Sequence, residues 1–243
     1  MSSELEEILS AKLPAGRHGL DREAVAAHQR RRLLAATALS VAESGYGELT
    51  VGEITRRASI SRVTFYQLFE GKTEILVAAY EEAFAALRGS VAAPCGAHED
   101  WPQRVIAGVG GAIAFAVASP ARASLLCAEP VGLQPELAVR IRAARTELAA
   151  MLRRARELAA SGPEPYAGLP PIAEEALIGG ACTIVAAHLA EGRSAELAGL
   201  APELAQVILT PYLGAEAAAA LLAATPHPGP LDLTPGSKNH RVS

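Results

Sequence analysis

Three observations predict an all-α protein. Half of the 243 residues are apolar yet only 4% are aromatic, so the core must be filled by small residues, chiefly Ala, Leu and Val, a composition that favours helix over sheet. Apolar residues recur at three- and four-residue spacing in segment after segment, with Pro and Gly between them, and no stretch alternates convincingly with period two. The length suffices to hide about 70 to 75% of the unfolded surface, so no disulfide or metal staple is needed. Cys95, Cys127 and Cys182 are odd in number, widely spaced and without a C-x-x-C, which excludes a disulfide framework or zinc ribbon and makes a reducing cytoplasm the default location. Glu4, Glu6 and Glu7 stand where a secretory signal is basic, and no run of about 18 uncharged apolar residues occurs. The expectation is a chain neither exported nor membrane-spanning.

Residues 1–20 start with a short acidic amphipathic stretch and pass into Leu13-Pro14-Ala15-Gly16-Arg17-His18-Gly19, whose proline and glycines resist regular structure. They read as a flexible N-terminal arm. From Arg22 to Ser44, Leu34, Ala38, Leu39 and Ala42 recur at helical spacing, and Gly45 stops the helix by taking the left-handed conformation.

Thr50-Val51-Gly52-Glu53 has the capping-box spacing, with Leu49 and Ile54 as a hydrophobic staple, and predicts a helix from Val51 to about Ala58. Ser61 repeats the signal, with Ile60 and Phe65 as its staple. Two short helices across a three-residue turn read as a helix-turn-helix. Gly71 permits a break, and a further helix runs from Lys72 to about Leu87.

Beyond it, Trp101-Pro102 opens a helix to Ala118, Pro120 a short one to Cys127, and Pro135 a long one to Ala160. Residues 161–171, with four prolines and two glycines, read as a loop; Ile172 to Ala190 is helical, Pro202 opens the next helix, and an Ala-rich run ends at Ala224. The domains are then an arm (1–20), a helix-turn-helix head (21–71), a helical body (72–225) and a tail (226–243) too poor in buriable residues to order.

Net charge is −4, but residues 17–72 carry nine basic against six acidic groups, and residues 73–243 twelve against seventeen. A mildly basic head sits on an acidic body, a division that the net charge hides.

Residues 33–76 resemble the DNA-binding domain of the tetracycline-repressor (TetR) family of bacterial transcription regulators. The resemblance lies in Leu34 with Ala35-Ala36, Gly45-Tyr46, Thr50-Val51, Ile54 and Ala58, Ile60-Ser61, Thr64-Phe65-Tyr66, Phe69, and Lys72 with Leu76. It implies a homeodomain-like three-helix head, a divergent body that binds a small molecule and dimerises, and a palindromic double-stranded DNA operator. Phe65 and Phe69, four apart, would join Leu34, Leu39 and Ile54 in a small core. The opposite face then meets the major groove: Arg62 suits guanine, Gln67 adenine, and Val63 or the Thr64 methyl a thymine methyl. Thr50, Ser61, Tyr66 and Lys72 suit phosphate oxygens. Arg17 on the arm could enter the minor groove. Thr55, Ser59, Leu68 and Gly52 depart from the family pattern, and Leu68 removes a polar contact with DNA.

In the body, Trp101, Phe115, Leu126 and Met151 are candidates by residue type for lining an effector pocket. Gly179 and Gly180 would let another helix approach, and Val185, His188, Leu189, Leu204, Val207 and Ile208 could build a two-fold four-helix interface, or equally an intramolecular core. The Arg30-Arg31-Arg32 run reads as a solvated face, and Gly108, Gly110 and Gly111 as sites of close helix packing. No metal, cofactor or catalytic motif is legible: no H-E-x-x-H, G-x-S-x-G or Walker pattern occurs. The leading expectation is a repressor released from its operator by a small apolar molecule. One rival is a DNA-binding regulator without a small-molecule ligand, protein-controlled or constitutive, which a fully packed body would favour. Another is a helical enzyme or sensor with a vestigial head, suggested by Leu68 and the acidity.

Overall fold

The acidic start of the chain is a helix, α1 (Ser3–Ser10), and not part of a loose arm. In the computed structural model, which describes residues 3–11, 22–127, 134–159, 169–170 and 172–225, Leu5 of this helix is 1% exposed and belongs to the main core. Glu4 pairs with Arg122 at 2.8 Å. The rest of the arm, with Arg17, and the tail from residue 226 lie outside the described residues.

The next helix, α2 (Arg22–Glu48), is buried without a break from Leu33 to Val41, because neighbours cover every side of it. Gly45 interrupts α2 as expected, but at φ +76°, ψ 174°, an extended positive-φ conformation and not a left-handed helical one. Thr50 caps α3 (Val51–Ala58), its Oγ1 accepting from the Glu53 amide at 3.1 Å. The reciprocal half of the capping box is replaced by an ion pair, since the Glu53 carboxylate meets Arg56 at 2.7 Å. Ser59 closes α3 in the left-handed region at φ 52°, ψ 45°. Ser61 Oγ accepts from the Thr64 amide at 3.0 Å and so caps α4 (Arg62–Leu68). Leu49, Ile54, Phe65, Phe69, Leu34 and Leu39 are all buried, which assembles the three-helix head from its two staples and its aromatic pair.

From Lys72 the chain leaves the head on α5 (Lys72–Cys95), which continues two turns beyond the expected end at Leu87. Contact with α6 (Trp101–Ala118) holds the extension: a β-carbon at Gly111 would sit 2.1 Å from the Ser90 carbonyl oxygen. Close backbone approach, not phosphate binding, explains that glycine.

The remaining body comprises α7 (Pro120–Leu126), α8 (Pro135–Ala159), α9 (Ala173–Ala190), a 3₁₀ turn at Ser194–Glu196, α10 (Leu197–Leu213) and α11 (Ala215–Ala224). Pro202 lies inside α10 instead of opening it, five residues into the helix. Gly214, at φ +81°, separates α10 from α11. The edge of α7 packs on α2, α5 and α9 and so ties head to body. Trp101 and Tyr212 meet edge to face at 5.1 Å and centre a second, smaller cluster between α6, α10 and α11. Both α6 and α9 are long and apolar enough by length and composition to cross a membrane; α6 instead packs between α5 and α10. No strand occurs among the described residues.

Candidate DNA interface and effector cavity

The reading face of α4 follows from its two buried phenylalanines. With Phe65 and Phe69 turned into the core, Arg62, Val63, Tyr66 and Gln67 face outward, and Val63 and Tyr66 are 70% and 58% exposed. Two exposed apolar groups on a seven-residue helix beside Arg and Gln make a surface suited to base edges and not only to water. Thr64 is half-buried; Ser61 and Thr50 are exposed at their helix N-termini, where their hydroxyls already accept amide hydrogen bonds. Lys72 Nζ donates to the Tyr46 carbonyl at 3.4 Å, beside the same surface.

Gly52 acquires a role that its residue type concealed. A β-carbon there would lie 2.9 Å from Arg62 Nη2, so the glycine makes room for the recognition-helix arginine to lie over the start of α3. Leu68 is partly buried against the head core, a packing role in place of a DNA contact. Arg30 stacks over the Phe69 ring at 5.5 Å, so one member of the arginine run shields the core.

Behind the head, the Tyr46 hydroxyl donates to the Leu125 carbonyl at 2.6 Å. Arg122, one turn earlier on α7, pairs with Glu4 of α1 and, at 3.2 Å, with Glu82 of α5. The head, α5 and α1 therefore converge on α7.

The opposite side of α7 lines an apolar cavity of about 270 Å³ built by α5 to α10. Phe115, Leu126 and Met151 line it. Trp101 does not; it is spent in the cluster with Tyr212, because residue type cannot separate a cavity wall from solid core. All three cysteines border the space, and burial pushes the Cys95 thiol pKa up. Sequence reasoning missed the cysteines, Gly108 and Arg104 as lining residues, since nothing local marks them.

The proposed dimer residues divide. Val185, Leu204 and Ile208 are buried and line the cavity, which corrects their assignment to an intermolecular face. Leu189 packs against the main core. Val207 is 55% exposed, nothing lies within 4 Å of a β-carbon at Gly179 or Gly180, and His188 Nδ1 is 2.9 Å from the Ile184 carbonyl of its own helix. Ile184 and Ile172, which sequence reading left out, are 40% and 66% exposed.

A helix-turn-helix that presents a polar and apolar reading face, carried on a helical body with an internal cavity, defines a DNA-binding transcriptional regulator. Residues 33–79 match the family model for bacterial regulatory proteins, tetR family. That match covers the DNA-binding head, about one-fifth of the chain. No curated protein matches it. Among solved structures, the fatty acid degradation regulator FadR from Bacillus halodurans is 18% identical, with a TM-score of 0.63 over 74% of this chain and 94% of that one. A TetR-like transcriptional regulator from Rhodococcus sp. RHA1 is 17% identical, with a TM-score of 0.64 over 79% and 97%. FadR from Bacillus subtilis, in complex with stearoyl-CoA, is 16% identical, with a TM-score of 0.61 over 75% and 97%. At such identities the likeness is one of fold.

Proposed function

We propose that this regulator is a cytoplasmic, homodimeric repressor, without catalytic activity, released from a palindromic operator when a small apolar molecule fills the cavity between α5 and α10. The cavity itself carries the reading: a solidly packed body would have favoured control without a ligand, and this body is hollow. The stearoyl-CoA bound by the B. subtilis regulator supports an apolar chain as part of a ligand in a body of this fold. The exposed residues Ile172, Ile184 and Val207, with the open Gly179 and Gly180, supply an apolar surface on α9 and α10 for a second copy.

The mechanism is a population shift. A ligand that prefers a conformer with displaced α7 moves Tyr46 and the lever α5, and with them the spacing of the two recognition helices. A coupling of about 1 to 3 kcal/mol changes operator affinity about 5- to 150-fold.

Fluorescence anisotropy on DNA flanking the protein's own gene, against unrelated DNA at two salt concentrations, tests the regulator reading. Salt-sensitive preference for the native fragment is expected. Weak, equal binding to both DNAs would overturn it for that locus, and a monomer at micromolar concentration in ultracentrifugation would overturn the dimer.

A further inference from the structure

Among the described residues that line the cavity, Arg104 alone is charged. Its Nε donates to the His98 carbonyl at 2.7 Å, which anchors the side chain where α6 begins. None of the ion pairs among the described residues involves it. Arg104, a residue of an otherwise apolar lining, carries a guanidinium with donors to spare, a group suited to receive an anionic oxygen.

The shape of the space supports one kind of molecule behind that oxygen. Lining residues on α6 run from Arg104 to Ala116, about 18 Å of helix at 1.5 Å per residue. A volume of about 270 Å³ drawn out over that length is elongated. Among the described residues, those at its far end, Leu126, Cys127 and Cys182, carry no charge, and a polar ligand terminus buried against them would lose its hydration without replacement. The volume approaches twice the roughly 150 Å³ that accommodates benzene, which sets the chain at about ten carbons. Glu99 and Asp100, exposed just before α6, oppose a head that carries several negative charges.

We propose that the effector is a singly charged anionic amphiphile, an unbranched chain of about ten carbons lying in the cavity with its acid head on Arg104. This rests on the reading of the cavity as the effector site.

Trp101, the only tryptophan, reports on binding, because Val105 and Ile208 of its cluster also line the cavity. Its fluorescence is titrated with decanoate, decanol, decyltrimethylammonium and decanoyl-CoA, all below micelle formation, in the wild-type chain and in Arg104→Gln and Arg104→Lys. Decanoate should bind about tenfold more tightly than decanol, and both decyltrimethylammonium and decanoyl-CoA more weakly than decanoate. Arg104→Gln should erase the preference for the acid while leaving decanol unchanged, and Arg104→Lys should keep part of it. Equal binding of decanoate and decanol, or a preference that survives Arg104→Gln, overturns the role of Arg104 while the cavity reading stands. Tighter binding of decanoyl-CoA overturns the single charge. If no ligand in the series binds, the proposal and the effector-site reading fall together. The wild-type series decides the head group by itself, whether or not the variants fold.

Discussion

The Tyr46 hydroxyl donates to the Leu125 carbonyl at 2.6 Å, joining the end of the head's first helix to the end of α7. Burial pushes the phenol pKa upward, so the hydroxyl keeps its proton at every pH the protein meets. Ala123 and Leu126, on either side of this contact along the chain, line the cavity. Tyr46→Phe should lower stability by about 1 kcal/mol, or about 2 to 4 °C in melting temperature. It should also shrink the effect of a bound ligand on DNA affinity while leaving ligand affinity intact. Melting curves and operator titrations with and without ligand measure both; an undiminished ligand effect would remove Tyr46 from the coupling path.

A helix as short as α1 has no stability of its own and must be held by its neighbours. Leu5, fully buried, with the partly buried Ile8 and Leu9, packs α1 onto the core, and Glu4 adds its pair with Arg122. Leu5→Ala should destabilise by about 2 to 5 kcal/mol, the range for a buried leucine. Glu4→Gln should do less, because Glu82 still pairs with the Arg122 guanidinium. Urea midpoints of the two variants give the comparison. A Leu5→Ala variant as stable as the parent would show that α1 is not docked in solution.

Two neighbouring glycines of α6 should respond to alanine in opposite directions. At Gly111 the new methyl would collide with the Ser90 backbone, which cannot swing aside; at Gly110 nothing lies within 4 Å. Gly111→Ala is therefore expected to destabilise by about 1 to 3 kcal/mol through overpacking. Gly110→Ala should stabilise by up to about 1 kcal/mol through helix propensity. Thermal unfolding of the pair tests the α5–α6 crossing directly, and equal responses would place the crossing elsewhere.

These contrasts also mark how far the sequence could be read. Caps and staples at Thr50, Leu49, Ser61 and Ile60 act over three or four residues, so the head was legible almost residue by residue. The helices of the body were legible as helices, but their facing was not. Apolar residues surround α9 and α10, leaving no phase to tell Val185 and Ile208, which turn inward, from Val207, which turns out. The extension of α5 past Gly89 and the docking of α1 arise from tertiary contacts that outweigh local preference. Arg104 was invisible for the same reason, since an arginine near a helix start reads as solvated until a cavity is seen beside it.

Within the head, Arg57 bonds the Glu43 carboxylate across the α2–α3 junction, with Nη1 to Oε1 at 2.8 Å and a second contact from Nη2 to Oε2. These bonds hold the Glu43 carboxyl below its ordinary value of 4.5. A depressed folded-state pKa means that the stabilisation is fully present above about pH 4.5 and is lost as pH falls through the folded value. Because Glu43 is more than half exposed, solvent screening keeps the contribution small. Glu43→Gln should be less stable than the parent at pH 7, and the gap should close as pH falls toward 3. Urea midpoints between pH 7 and 3 measure it, and a gap independent of pH would assign the difference to something other than this carboxylate.

Arg62 and Lys72 should fail differently when removed, because one can read a base and the other can only neutralise a phosphate. Arg62 projects from the first turn of α4 and lies over Gly52, so it can reach a groove without displacing a core residue. Lys72 begins α5 and lies beside the head through its bond to the Tyr46 carbonyl. Arg62→Ala should weaken binding to the native operator by about 1 to 3 kcal/mol and reduce discrimination against unrelated DNA. Lys72→Ala should weaken both DNAs alike and lower the salt slope by about one. Anisotropy titrations across a salt series separate the two patterns. A uniform loss for Arg62→Ala, with discrimination intact, would move base reading away from that side chain and onto Gln67, Tyr66 and Val63, the other exposed residues of the same face.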